Sequence, residues 1–314
     1  MSSAPASLGP AAAVEEAPKI SKPPRRRGRR NWVPYLLLAP GLLWLIVFYV
    51  APMVTLASQS MQEGNVDDGY VFTGNISIFA DALSTYWPQL LRSLGYSASA
   101  TVLALALGYP LAYYIAGRKG RSKYVLLVLV IAPFFTSFLI RTMAWQTLLS
   151  DNFVVARFAR AIHFTDLLQL LNLSNNDSLL YSKFSVIWGL TYNFLPFMIL
   201  PLYTSLDRLD GRLLEAARDL YATPRMTFRY VTWPLSLPGV VSGTLLTFIP
   251  AAGDYINSRL LGNTQTVMIG QVIDSQFLRV LDYPMAAALS FVLLVMILAL
   301  VAFYVRRAGT EELV

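Results

Sequence analysis

Residues 209–239 read LDGRLLEAARDLYATPRMTFRYVTWPLSLPG. This stretch follows one uncharged run, Phe184–Leu206, and leads into another, Leu235–Gly253. Within it, Leu213, Leu214, Ala217, Leu220 and Tyr221 recur at helical spacing, while Arg212, Glu215, Arg218 and Asp219 fall mainly elsewhere. That pattern predicts a short amphipathic helix. Thr223-Pro224 then supplies an N-cap and a first-turn proline for a second short helix, ending near Trp233-Pro234. A charged knob of two short helices between two long apolar runs marks a loop that joins two membrane spans.

Working outward, the same criterion finds six uncharged runs: Pro34–Ala57, Ser93–Gly117, Tyr124–Ile140 with an extension to Leu149, Phe184–Leu206, Leu235–Gly253, and Met285–Val305. A bilayer core needs about 20 apolar residues in a helix, and lipid solvates no unpaired backbone. The expected fold is therefore all-α, a polytopic bundle of six transmembrane helices over about 34–57, 93–117, 124–149, 184–206, 235–256 and 285–305. Their internal prolines can be absorbed as kinks. Composition agrees. Residues of the A, V, I, L, M, F, W, Y and C types make up 55% of the 314 residues, and 14% are charged. Soluble domains carry about 25% charged residues. Mean hydropathy is +0.51.

Several function classes drop out. The chain has no Cys and a single His, His163, so thiol chemistry, Cys-based zinc or iron–sulfur sites and His clusters are excluded. No Gly-Lys pair exists, which excludes a P-loop. No acid relay inside the spans and no inverted repeat speaks for a secondary transporter or channel, and no clustered His or acidic pair for a membrane enzyme.

Eighteen of the 25 Lys and Arg fall in residues 1–30, 118–123, 207–234 or 306–314. The positive-inside rule then puts both termini in the cytoplasm, with 1–30 a disordered basic tail, 207–234 a cytoplasmic loop and 309–314 a short tail. The first apolar run is too long for a signal peptide and reads as an anchor. The basic run Arg25–Arg30 fits anionic lipid better than nucleic acid.

Glu215-Ala216-Ala217, Arg218-Asp219-Leu220, Phe228 and the segment Pro234–Gly239 together resemble the EAA loop of binding-protein-dependent ABC importer permeases. LGYPLAYY (107–114), APFFTSFLIRT (132–142), YNFLPFMILPLY (192–203), Gly253-Asp254-Tyr255, Leu260–Gly262 and Met268–Gly270 are similar to the spermidine/putrescine branch of that family. The EAA loop is specific for the importer class. Permeases for sulfate, ferric ion and opines share parts of the other segments and are the alternative cargo class.

The resemblance implies a MetI-like, type I permease subunit in the bacterial cytoplasmic membrane, itself no enzyme. Its implied partners are an ABC ATPase dimer that binds the ATP and Mg, a second permease that is a different chain, an external binding protein and a polyamine. Residues 215–221 would form the coupling helix, with Glu215 the charged anchor and Arg218 its helper. The family usually has Gly six residues after the Glu, where this chain has Tyr221.

Asp254 is the main pathway candidate, because an ionisable group at membrane depth marks function by default. Tyr255 is adjacent, and Trp145, Trp188 and Tyr192 on neighbouring spans could face cations and methylenes. The competing reading is that Asp254 only ends or kinks its helix. Arg141 is expected to snorkel outward or pair with an acid. Phe153–Leu171 reads as one external surface helix carrying His163. With Asp151, Asp166 and Asp177 around it, it is either a dock for the binding protein or an ordinary interfacial helix.

Overall fold

The computed structural model describes residues 33–174 and 178–308. The two predicted tails, 1–30 and 309–314, and Asp177 lie outside the described residues. The chain divides into two units at Pro52. The first contains α1 (Val33–Leu45), which runs through a π turn (Ile46–Val50) into the start of α2 (Ala51–Gln59). Every described side chain from Tyr35 to Pro52 is exposed in the chain. A helix apolar all round can be stable that way only against lipid or another protein.

The second unit continues from α2 into a hairpin of β1 (Gln62–Asn65) and β2 (Gly69–Phe72), paired antiparallel with Gln62 opposite Phe72. Then come α3 (Ser77–Ala116), α4 (Arg121–Ile131), α5 (Phe138–Leu148), α6 (Val154–Ala161), α7 (Phe164–Leu170) and α8 (Lys183–Asp207). The chain closes with α9 (Gly211–Asp219), α10 (Pro224–Thr227), α11 (Trp233–Ala252), α12 (Ile256–Leu261), α13 (Ile269–Ser275) and α14 (Tyr283–Ala308). By length and apolarity, five helices of the described chain could cross a membrane, or six if the bent α4–α5 pair counts as one span.

Four departures from the sequence reading have clear causes. α3 does not begin at Ser93 but at Ser77. Arg92, which bounds the uncharged run, lies inside this longer helix, and its Nη1 donates to the Val267 carbonyl at 2.9 Å. The third span is broken. A 3₁₀ turn over Ala132–Phe135 contains Pro133, and α4 and α5 bend there by 94°. The second loop helix does not stop at Trp233-Pro234. It continues through a π turn (Phe228–Thr232) into α11, and that wider turn accommodates the missing N–H of Pro234. Finally, Phe153–Leu171 is two helices, not one. His163 sits between α6 and α7 in the left-handed conformation and ends the first.

The centre of the second unit is α3, α8 and α11, with α14 against α3 and α11. One buried cluster joins Ala104, Tyr109 and Ala112 of α3 to Met198, Ile199, Leu202 and Leu206 of α8 and Val240 of α11. The close approach of α11 to α8 depends on Gly239 and Gly243, one helical turn apart. A Cβ on Gly239 would lie 2.6 Å from Ser205 Cβ and 2.9 Å from the Pro201 oxygen. One on Gly243 would lie 2.8 Å from Met198 Sδ. This is the small-xxx-small packing that membrane helices use where no hydrophobic effect pulls them together.

Replacing Gly243 by Ile should therefore overpack the α8–α11 seam, costing about 1–3 kcal/mol and lowering the midpoint of thermal aggregation in detergent. Gly95→Ala, at a position with open space around it, should leave that midpoint unchanged.

Candidate functional site

The candidate residues fall in two regions, at opposite ends of α11. That helix has 20 residues, so the ends are about 30 Å apart.

The first region is the knob between α8 and α11. On its entry side, Leu206 is buried in the central cluster and Leu209 packs against it. Lys123 Nζ donates to Asp207 Oδ1 at 2.5 Å, and Tyr203 OH donates to Asp207 Oδ2 at 3.1 Å. The knob's base is thereby tied to α4. Asp210 caps α9 by accepting from the Arg212 N–H at 2.9 Å. At the other end of α9, the Tyr221 N–H donates to the Arg218 oxygen at 2.9 Å and the Ala222 N–H to the Ala217 oxygen at 3.0 Å. This paired closure is a Schellman stop, whose left-handed residue is usually Gly. Here it is Tyr221, at φ +57°, and a non-glycine residue there costs roughly 1–2 kcal/mol. The Thr223 hydroxyl then accepts from the Met226 N–H and starts α10.

On its exit side the knob is held by aromatic packing. The Phe228 ring meets Tyr109 edge-on at 5.8 Å and Tyr113 at 6.1 Å. Trp233 lies 5.2 Å from Tyr109, and the Tyr109 hydroxyl is hydrogen-bonded to Ser236 Oγ at 2.8 Å. A groove of about 810 Å³ opens between the knob and the α8–α11 pair, lined among others by Thr204, Ser205, Arg208, Leu213, Ser242 and Leu246. α9 itself buries no side chain: Glu215, Ala216, Arg218, Asp219, Leu220 and Tyr221 are all exposed, and Leu214 and Ala217 are half-buried. Glu215 is in no ion pair among the described residues. The stripe that the sequence pattern predicts is only partly covered inside the described chain: Leu213 lines the groove and Leu214 and Ala217 are half-buried, while Leu220 and Tyr221 stay exposed.

The second region follows the far end of α11. Asp254 is only 8% exposed, and its Oδ1 accepts from the Asn257 N–H at 2.8 Å, capping the start of α12. Asn193 on α8 donates through Nδ2 to both Thr142 Oγ1 and Asn257 Oδ1, each at 3.1 Å. A buried polar knot therefore joins α5, α8 and α12. Within it, Asn193 Oδ1 and Asn257 Nδ2 are buried with no partner among the described residues.

The aromatic candidates form the next layer of the same α5–α8 seam, since Thr142 and Trp145 lie three residues apart on α5. Trp145 meets Trp188 at 5.5 Å and Tyr192 at 5.2 Å, both edge-on. Tyr255 is 40% exposed and makes no ring contact with these three. The structure thus brings Trp145, Trp188 and Tyr192 together, and it places Asp254 in the adjoining polar knot.

Arg141 departs from expectation. Its guanidinium lies 5.2 Å from the Phe134 ring centre and 5.7 Å from that of Phe138, with Nε and Nη1 buried and unpartnered among the described residues. The aromatic faces beside the α4–α5 break hold it, so it neither pairs with an acid nor extends freely outward. His163 is exposed, with Nδ1 2.8 Å from Asp166 Oδ2.

Asn193, Asn257, Thr142, Tyr109 and Tyr113 were not singled out by sequence reasoning. A charge filter passes over them, although an Asn inside an uncharged run such as Phe184–Leu206 is itself a signal that a polar partner waits across a seam.

Residues 104–308 match the family model described as binding-protein-dependent transport system inner membrane component. The chain is 35% identical over 264 residues to the spermidine/putrescine transport system permease protein PotB of Haemophilus influenzae, covering 84% of this chain and 90% of that one. It is 36% identical over 270 residues to PotB of Escherichia coli, covering 84% and 94%. It is 32% identical over 289 residues to the inner membrane ABC transporter permease protein YdcU of Escherichia coli, covering 88% and 90%. Among solved structures, a bacterial ABC transporter that imports the acidic polysaccharide alginate aligns with a TM-score of 0.57 at 18% identity, covering 89% of this chain and 96% of the other. The same type of transporter, in complex with a periplasmic protein bound to an alginate pentasaccharide, aligns with a TM-score of 0.59 at 17% identity, covering 90% and 96%. At that identity the likeness concerns fold alone. The helical bundle, the knob between α8 and α11 and the family match extending over most of the chain agree: this chain belongs to the binding-protein-dependent inner membrane components, the multi-span permease subunits of ABC importers.

Proposed function

We propose that this permease forms one half of an importer pathway for polyamines such as spermidine and putrescine, with both termini in the cytoplasm. A second, different permease chain supplies the other half. An ABC ATPase dimer binds ATP and Mg beneath the pair, and an external binding protein delivers the cargo. This chain itself catalyses nothing. The observation that carries the reading is the 35–37% identity to spermidine/putrescine permeases over 84% of this chain.

The geometry supports a division of labour. Residues 215–221 lie in the exposed knob, where Glu215 would pair with a cation on the ATPase and Arg218 would assist. ATP-driven closure of the ATPase dimer would draw the two permeases' knobs together. In this chain the push would reach the bundle through Phe228 and Trp233 against Tyr109, and through the α8–α11 seam. At the far end of that seam, Asp254 and Tyr255, with the Trp145–Trp188–Tyr192 layer beside them, are the candidate pathway residues. A polyamine alternates ammonium groups with methylenes. A carboxylate attracts the former, and aromatic faces accept both. An anionic cargo would be repelled by Asp254.

Uptake of labelled spermidine into vesicles holding the full complex tests these roles. Glu215→Ala should abolish uptake and weaken ATPase binding while the permease still inserts; unimpaired uptake would remove Glu215 from coupling. Asp254→Asn keeps the α12 cap, since Asn caps as well as Asp, but removes the charge. It should cut uptake about tenfold or more, as expected for one lost partner of a buried charge pair. Unchanged kinetics would leave Asp254 with a structural role only.

A further inference from the structure

The tip of the knob carries a cost that the fold of this chain does not explain. Tyr221 closes α9 in the left-handed conformation at φ +57°, in a turn that glycine would make without strain. Its side chain repays nothing within the chain: it is 96% exposed, and Leu220 beside it is 81% exposed. No ring contact or hydrogen bond of the Tyr221 side chain exists among the described residues. Two aromatic and aliphatic side chains thus project together from a strained turn. Around them, Arg218, Asp219 and Arg225 are exposed and belong to no ion pair among the described residues. Tyr and Arg together are the residue types that dominate binding energy at protein interfaces.

We infer that the Tyr221 ring, with Leu220, is a plug that selects this permease's own ATPase subunit by filling an apolar slot on that subunit. The inference rests on the coupling role proposed for residues 215–221 and adds a specificity element to it. Glu215 supplies a charge contact that would serve with many ATPases. A tyrosine in place of the unstrained glycine adds a shape that only a slot of matching depth accepts, and the strain is offset when the slot closes on the ring.

The test uses the full permease pair in nanodiscs, titrated with its ATPase subunit, comparing wild type, Tyr221→Gly, Tyr221→Phe and Glu215→Ala. Tyr221→Gly relaxes the turn and removes only exposed atoms, so folding is not at risk. The expected result is a loss of about tenfold or more in ATPase affinity for Tyr221→Gly, as for an interface anchor, with Tyr221→Phe within about twofold of wild type. Equal or tighter binding by Tyr221→Gly, with Glu215→Ala still weakened, would overturn the plug while leaving the coupling loop intact. Unchanged binding by both Tyr221→Gly and Glu215→Ala would overturn the coupling loop itself, and the plug with it. Repeating the titration in nanodiscs of neutral lipid separates a third outcome. If the Tyr221→Gly loss disappears there, the ring is an anchor for anionic lipid and the plug is overturned.

Discussion

The rest of the structure depends on the close approach of α11 to α8 at Gly239 and Gly243. In lipid there is no hydrophobic gain from pressing one apolar helix on another, so the contact must come from fit. Two missing side chains let the α11 backbone reach Pro201, Leu202 and Met198 of α8. Both candidate regions lie at the ends of that seam. The exposed knob leaves α8 at one end and returns into α11, and the polar knot around Asp254 begins where α11 stops. Because the two helices are wedged side by side, a displacement at one end has no slack to be lost in before it reaches the other.

The polar groups follow the same logic. An unpaired polar atom is costly where water is absent, so each one inside the bundle calls for a partner on another element. Arg92 reaches the Val267 carbonyl, Ser185 Oγ reaches the Leu261 carbonyl at 2.7 Å, and the Ile269 N–H finds Ser93 Oγ at 2.7 Å. These bonds sew the irregular stretch between α11 and α14 onto α3 and α8. The buried atoms without partners among the described residues include Asn193 Oδ1 and Asn257 Nδ2 in the knot beside Asp254 and, against the Phe134 and Phe138 rings, Nε and Nη1 of Arg141. Asn193 Oδ1 and Asn257 Nδ2 thus leave an unspent acceptor and an unspent donor next to the buried Asp254 carboxylate.

Much of this was legible in the sequence. The absence of charge over a helix length locates the spans because the constraint behind it, backbone pairing in lipid, has no exceptions that loops can exploit. The knob was legible because its periodicity and its cap at Thr223-Pro224 are local. The errors came where a residue's partner is distant in sequence. Arg92 reads as an end until its bond to Val267 is known. Asn193 reads as neutral until Thr142 and Asn257 are placed beside it, 51 and 64 residues away. Phe228 belongs to a family pattern, but its packing on Tyr109 and Tyr113 depends on how α3 crosses the base of the knob. The left-handed stops at His163 and Tyr221 were missed as conformations because neither residue type announces one.

The central claim is that the knob and the α8–α11 seam move as one body. The chain has no cysteine, so nitroxide labels can be placed uniquely within it on Met226→Cys and Ile249→Cys, both exposed positions, before it is assembled with cysteine-free partner chains into the complete importer. Pulsed electron–electron distance measurements should be made on the resting complex and on the complex trapped with ATP. The account predicts the same distance distribution in both states. A shift as large as one helical turn, about 5.4 Å, would show that the knob moves independently of the seam and would contradict it.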